Sequence, residues 1–160
     1  MTTDFAHKNI LVLGAGVTGK SVARFLESRG AKVTLTDDHS EGAIKPDAVV
    51  LKGYEAVVIS PGWRQDHPLI VQILKSSIEM LNEIDIAWNL RSERAPGQKW
   101  IALTGTNGKT TTVEMTAAIL QAAGIKAVAC GNVGDTVIDA VDRDDAYDVL
   151  VLELSSFQLH

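Results

Sequence analysis

Short apolar runs alternating with helix-like stretches predict an α/β fold, and three observations carry that expectation. The runs NILVLG, KVTLTD and EAVVISPG are continuous, as strands buried on both faces of a parallel sheet are. Stretches of helical periodicity separate them, the signature of βαβ units. A charged segment with proline and glycine, LRSERAPGQK at residues 90–99, breaks the alternation, which then restarts. The expected division is therefore into residues 1–93 and 94–160.

In chain order, NILVLG is a buried strand. The helix after it begins near Thr18, puts Val22, Phe25, Leu26 and Arg29 on one side and stops at Gly30. KVTLTD is the next strand, and EAVVISPG a third that ends in a Ser-Pro-Gly turn. In HPLIVQILKSS, Pro68 sits near a helix start with Leu69 and Ile73 as apolar positions. Past the boundary, WIALTG reads as a strand, Gly105 to Lys109 as a loop, and residues 110–123 as a helix with Val113, Ala117 and Leu120 inward. KAVAC is a strand, GNVGD a turn, TVIDAVDR a short helix, and YDVLVLELSS a strand whose apolar run leads to Glu153. This second part is shorter than the usual ~100–150 residues, so the second domain is expected to be cut.

Composition narrows the function. The 160 residues are 46% hydrophobic, enough for a core, and the net charge of −5 comes with no basic stripe, which argues against a nucleic-acid partner. Local backbone amides still allow small anions to bind. The lone Cys130 excludes an internal disulfide and suits a reducing compartment. No segment has a signal-peptide layout or approaches about 18 unbroken apolar residues, so no membrane insertion and a cytoplasmic location are expected.

Two glycine loops carry the chemistry. GAGVTGKS, starting at Gly14, fits both G-x-G-x-x-G and G-x-x-x-x-G-K-S, whereas TGTNGKTTT, starting at Thr104, has G-K-T but carries Leu103 where the leading glycine would stand. Their surroundings separate them. After the first loop comes a helix and then Asp37 and Asp38 about 20 residues on, where a Rossmann-type fold reads a ribose or base. There Gly14 makes the tight turn, Gly16 admits a diphosphate, Gly19 lets the helix pack, and Lys20 is an ordinary helix residue. The second loop precedes the strand VLVLE, which delivers a carboxylate to the side where a magnesium ion bridging phosphates needs hard oxygen ligands. Lys109 would reach the β- and γ-phosphates, Thr110 would place its hydroxyl on Mg²⁺ with Glu153, and Gly105, Thr106, Asn107, Gly108 and Lys109 would present backbone N–H groups. The expected fold is a Rossmann-like parallel-sheet domain followed by the start of a P-loop ATPase-type α/β domain.

Taken together, GAGVTG, the Ser60-Pro61-Gly62 turn, GTNGKTT (Gly105 to Thr111), Gly131-Asn132 and ELSSFQL (from Glu153) closely resemble the Mur ligases of peptidoglycan synthesis. The SSFQL ending is similar to the D-glutamate-adding branch. The resemblance implies an ATP-dependent amide ligase with ATP and Mg²⁺ as cofactors and with UDP-N-acetylmuramoyl-L-alanine and D-glutamate as substrates, joined through an acyl phosphate. It implies backbone contacts from Val17 and Thr18 to the substrate diphosphate, and contacts from Asp37 and Asp38 to the uridine. Ser60, Pro61 and Gly62 would line the same crevice, Asn132 would lie near the sugar-peptide portion, and Thr111 would close the ATP loop. His39 stands where this branch commonly has arginine. The family's histidine metal ligand, carbamylated lysine and D-glutamate-binding domain match nothing in residues 1–160.

On the residues alone, an NAD-dependent dehydrogenase and a non-catalytic nucleotide-binding module stay open. The first leaves GTNGKTT and VLVLE unexplained. Trp63, Trp88 and Trp100 are read as packing or rim residues.

Overall fold

The computed structural model describes residues 4–155 and 158 of the chain. The described residues form two compact units that divide between Glu83 and Ile84. Each unit is a parallel sheet covered by helices, the α/β architecture expected.

In the first unit the sheet order is β2-β1-β3-β4, built from β1 (Asn9–Leu13), β2 (Lys32–Thr36), β3 (Ala56–Ile59) and β4 (Glu79–Leu81). The chain leaves β1 for β2 on one side and returns to β3 on the other. This reversal is the point at which open α/β sheets bind ligands. Helix α1 (Val17–Ser28) buries Val22, Phe25 and Leu26, and α2 (Pro68–Leu74) buries Leu69, Ile70 and Ile73 against Leu11, Leu13 and Val57. Ile10 and Val12, which alternate to the opposite face, are fully enclosed as well, so β1 is apolar from Ile10 to Leu13 because both of its faces are covered.

In the second unit the order is β5-β7-β6, from β5 (Lys99–Leu103), β6 (Ala127–Gly131) and β7 (Val149–Glu153). The central strand β7 is buried along its whole length, which is why VLVL is uninterrupted. Helix α4 (Lys109–Ala122) packs Val113 and Ala117 on Ala127, Val149 and Val151. The short α5 (Val137–Val141) starts at Thr136, whose hydroxyl caps it by accepting from Asp139 N at 3.3 Å.

The units divide ahead of the expected 93/94 boundary. Part of LRSERAPGQK is the last turn of a helix, α3 (Glu83–Arg94), rather than a linker. That helix is fastened within the second unit: Trp88 meets the Trp100 ring edge to face at 5.1 Å, and Arg94 pairs with Asp142 and Asp144 at 3.4 and 3.0 Å. Gln98, nearly enclosed, ties the region to the segment leading into β7 by donating to Tyr147 O at 3.0 Å, and it accepts from Trp100 Nε1 at 2.9 Å. No helix among the described residues is long and apolar enough to cross a membrane.

Candidate functional site

In the first unit, the sheet register aligns three strand ends. Leu13 pairs with Thr36 on one side and with Ile59 on the other, so the next residues, Gly14, Asp37 and Ser60, form a row at the carboxyl edge. Backbone bonds extend the row, from Gly14 N to Thr36 O at 2.8 Å and from Ser60 N to Leu13 O at 3.0 Å. The turn into α1 is compact: a Cβ on Gly19 would lie 1.8 Å from Gly14 O. Gly19 is thus a glycine because the turn's own backbone occupies the space, a tighter constraint than helix-on-strand packing. At Gly16 a Cβ would meet nothing, and Gly16 caps α1 with no side-chain hydrogen bond. The first bond of the helix runs from Lys20 N to Gly16 O at 3.0 Å, which leaves the N–H groups of Val17, Thr18 and Gly19 without helical acceptors. Lys20 itself is exposed on α1.

The two aspartates behave differently. Asp37 Oδ2 accepts from Ala15 N at 2.8 Å, and Oδ1 accepts from His39 N at 2.8 Å and Ser40 N at 3.0 Å. These backbone donors, Ala15 first and His39 next, lower its pKa from 3.8 to about 2. Asp37 therefore clamps the glycine turn to the end of β2. Asp38 and His39 are exposed beside it.

The clamp has a pH signature. A carboxylate whose folded-state pKa is lowered contributes stability that is complete above its unfolded value and is lost as pH falls through the folded one. Discounted for partial exposure, the contribution is on the order of 1–2 kcal/mol, lost between about pH 4 and pH 2. Urea midpoints measured across that window should fall more steeply for the unsubstituted chain than for Asp37→Asn. Parallel slopes would refute the clamp.

The second unit repeats the arrangement. Leu103 and Gly131 both pair with Glu153, so loop, turn and carboxylate share one edge. Gly108 takes the left-handed conformation, φ 75°, at the start of α4 and provides no side-chain cap. The first helical bond runs from Thr112 N to Gly108 O at 3.0 Å, leaving the N–H groups of Lys109, Thr110 and Thr111 for an outside acceptor. Lys109 Nζ donates to Gly105 O at 2.7 Å, folding over the loop. Thr110 Oγ1 donates to Glu153 Oε2 at 2.8 Å, and Glu153 is only 6% exposed, so this buried carboxylate is held by a hydroxyl partner. Thr106 and Asn107 lie exposed at the loop tip. Asn132 is also exposed, and its N–H donates to Glu153 O at 3.1 Å. Gly131, at φ 103°, has room for no side chain, because a Cβ would lie 2.6 Å from Glu153 O.

Comparison with known proteins settles the family. The Mur ligase middle domain matches residues 103–160, the stretch that holds the glycine loop and Glu153. A UDP-N-acetylmuramoylalanine--D-glutamate ligase from Streptomyces avermitilis is 40% identical over 99% of this chain and 37% of its own length. Its counterpart from Thermobifida fusca is 42% identical over 98% of the chain and 37% of its own length. The chain belongs to the Mur ligase family. It spans little more than a third of the length of these curated Mur ligases. Among solved structures, a UDP-N-acetylmuramate:L-alanyl-gamma-D-glutamyl-meso-diaminopimelate ligase from Neisseria meningitides shares the fold, with TM-score 0.52 and 17% identity over 92% of this chain and 52% of that one.

Of the ELSSFQL segment, Ser156, Phe157 and Leu159 lie outside the described residues. Ser155 N and Oγ donate to Gln158 Oε1 at 2.8 and 3.0 Å. The second unit's own chemistry fits the magnesium nucleotide expected from its sequence. Nothing would meet a Cβ at Gly105 or Gly108, so the loop surface is open to a phosphate. Thr110 and Glu153 offer two hard oxygens in contact, while no cluster of three or more His, Cys, Asp or Glu exists among the described residues. That set suits Mg²⁺, which takes one or two protein ligands and completes its shell with phosphates and water.

Sequence reasoning missed three of these roles. Asp37 is a clamp, Gly131 makes room for the Glu153 carbonyl, and Ser60 packs on the glycine turn, its Cβ 2.9 Å from where a Gly14 Cβ would be. The glycines carried a legible signal; the direction of the Asp37 carboxylate did not.

Proposed function

We infer that this chain contributes the UDP-substrate unit and the beginning of the ATP unit of an ATP-dependent amide ligase, which adds D-glutamate to UDP-N-acetylmuramoyl-L-alanine in the cytoplasm. The observation that carries this reading is the contact of Thr110 with buried Glu153 one residue beyond Lys109, at the head of an uncapped helix. The curated relatives named above support the D-glutamate-adding assignment.

In this reading, Gly105, Thr106, Asn107, Gly108 and Thr111 line the triphosphate with backbone N–H groups, and Lys109 leaves Gly105 O to face the phosphate oxygens. Magnesium, held by Thr110 and Glu153, would neutralise phosphate charge. The substrate carboxylate attacks the γ-phosphorus and ADP departs, giving an acyl phosphate. The D-glutamate amine then attacks the acyl carbon, the acyl C–O bond breaks as phosphate departs with its electron pair, and the amine gives up a proton. In the first unit Val17 and Thr18 donate to the UDP diphosphate, Asp38 reaches the uridine, Asp37 fixes the turn, and Ser60, Pro61 and Gly62 wall the crevice. Asn132 orients the sugar-peptide portion.

Titrating UDP, ATP and NADH against the chain tests this. UDP should move the amide resonances of Gly14 to Gly19, Asp38 and Ser60, and ATP those of Gly105 to Thr111. Binding of NADH in place of UDP would instead favour a nicotinamide-dependent dehydrogenase. The chain by itself is expected to release no phosphate in response to D-glutamate and the UDP-linked substrate, because phosphoryl transfer depends on every charged partner being placed. Release dependent on both substrates would contradict this.

A further inference from the structure

Trp63, the residue after the Ser60-Pro61-Gly62 turn, has no part in the reading above, yet its polar edge borders the glycine turn. Its backbone N–H donates to Ser60 O at 3.3 Å, closing a tight turn at the end of β3. The ring is half-buried on the Leu11, Leu13 and Val57 cluster and meets the His67 ring edge to face at 4.7 Å. Both contacts fix its orientation. A Cβ on Gly14 would lie 3.2 Å from Trp63 Nε1 and 3.0 Å from Ser60 Oγ, and a Cβ on Gly19 would lie 3.3 Å from the same hydroxyl.

Among the described residues, Trp63 Nε1 has no hydrogen-bond partner, and the fully enclosed unpaired side-chain atom is Arg91 Nε, in the other unit. The indole N–H therefore opens to solvent at the glycine turn. A half-buried tryptophan N–H ordinarily meets an acceptor. The glycine turn that it borders leads into α1, whose first N–H groups, those of Val17, Thr18 and Gly19, have no helical acceptors and are donors too. Donors gathered at one turn are complementary to anionic oxygen, and hydrogen bonds to charged acceptors are the stronger class.

We propose that Trp63 is a ligand-binding residue of the first unit, its indole N–H donating to a diphosphate oxygen of a nucleoside-diphosphate-linked ligand beside the Val17 and Thr18 amides. This rests on the reading of the first unit as the UDP-substrate unit, and it turns a packing tryptophan into one that also holds the ligand.

The test uses the whole chain, with UDP as the probe. Nitrogen–proton spectra contain three indole signals, from Trp63, Trp88 and Trp100. Trp63→Phe identifies its own signal by loss; should that variant fail to fold, Trp88→Phe and Trp100→Phe identify it by elimination. The expected result is that the Trp63 indole signal moves with the same dissociation constant as the Val17 and Thr18 amides while the other two indoles stay still. Folded Trp63→Phe should bind UDP roughly 10-fold or more weakly. Movement of the Val17 and Thr18 amides with a stationary Trp63 indole overturns the proposal and leaves the UDP reading standing. If none of the three moves with UDP, or all move with NADH alone, both fall.

Discussion

Lys109→Ala in a full-length ligase that carries this sequence is expected, on the function proposed above, to weaken ATP binding roughly 10- to 150-fold, the equivalent of a charge-assisted hydrogen bond of about 1.5–3 kcal/mol. The loss in turnover should exceed this, because the same charge would stabilise the phosphoryl group in transit. Lys20→Ala, by contrast, should leave the ATP Michaelis constant unchanged. Both lysines follow a glycine in a G-K-[ST] string, so the string does not separate them. Their environments do: Lys109 folds onto Gly105 O beside the Thr110–Glu153 contact, while Lys20 is exposed on α1, beyond the glycine turn. Steady-state kinetics of the two variants checks the assignment. Loss of ATP use in Lys20→Ala with normal use in Lys109→Ala would reverse the two units' roles.

Gly19→Ala should be the most damaging single change in the first unit. The added Cβ would sit 1.8 Å from Gly14 O and 2.8 Å from Gly14 C, atoms that cannot swing aside as a flexible side chain could. Relief requires moving the turn or α1, at a cost of roughly 3 kcal/mol or more. UDP-dependent amide shifts should disappear, and the urea midpoint should fall. Gly16→Ala provides the contrast, since a Cβ there meets no protein atom. It should fold normally and still weaken UDP binding, which would show that Gly16 is small for the ligand's sake. A Gly19→Ala chain with unaltered UDP affinity would sink the argument.

The sheet strands with long apolar runs were legible because burial on both faces leaves no polar position within the run to confuse the pattern: ILVL in β1 and VLVL in β7 are examples. Strand β4 was not, being three residues long with Glu79 and Met80 exposed. Helix α3 was hidden too. Its enclosed residues, Ile86, Ala87 and Leu90, are interspersed with Asp85, Asn89, Arg91 and Arg94, so its final turn read as a charged linker. At the sites, glycine spacing and strand-end carboxylates located both edges. What sequence could not give was where a side chain points once there. Asp37 and Asp38 are indistinguishable as letters, yet one accepts three backbone hydrogen bonds and the other stands in solvent.

The pairing of Leu103 and Gly131 with Glu153 sets limits on how such a chain can change length. Removing or adding one residue within β7 would turn Glu153 to the opposite face of the sheet and part it from Thr110, whatever the composition of the new strand. At the other end of β7, residues 142–145 are exposed, and lengthening this loop costs only a slowly growing closure entropy. Insertions and deletions tolerated during divergence should therefore gather at the amino-terminal edge of the second sheet, with the interval from Val149 to Glu153 constant in length. A protein engineer could attach a peptide tag in that loop and leave the strand-end row undisturbed.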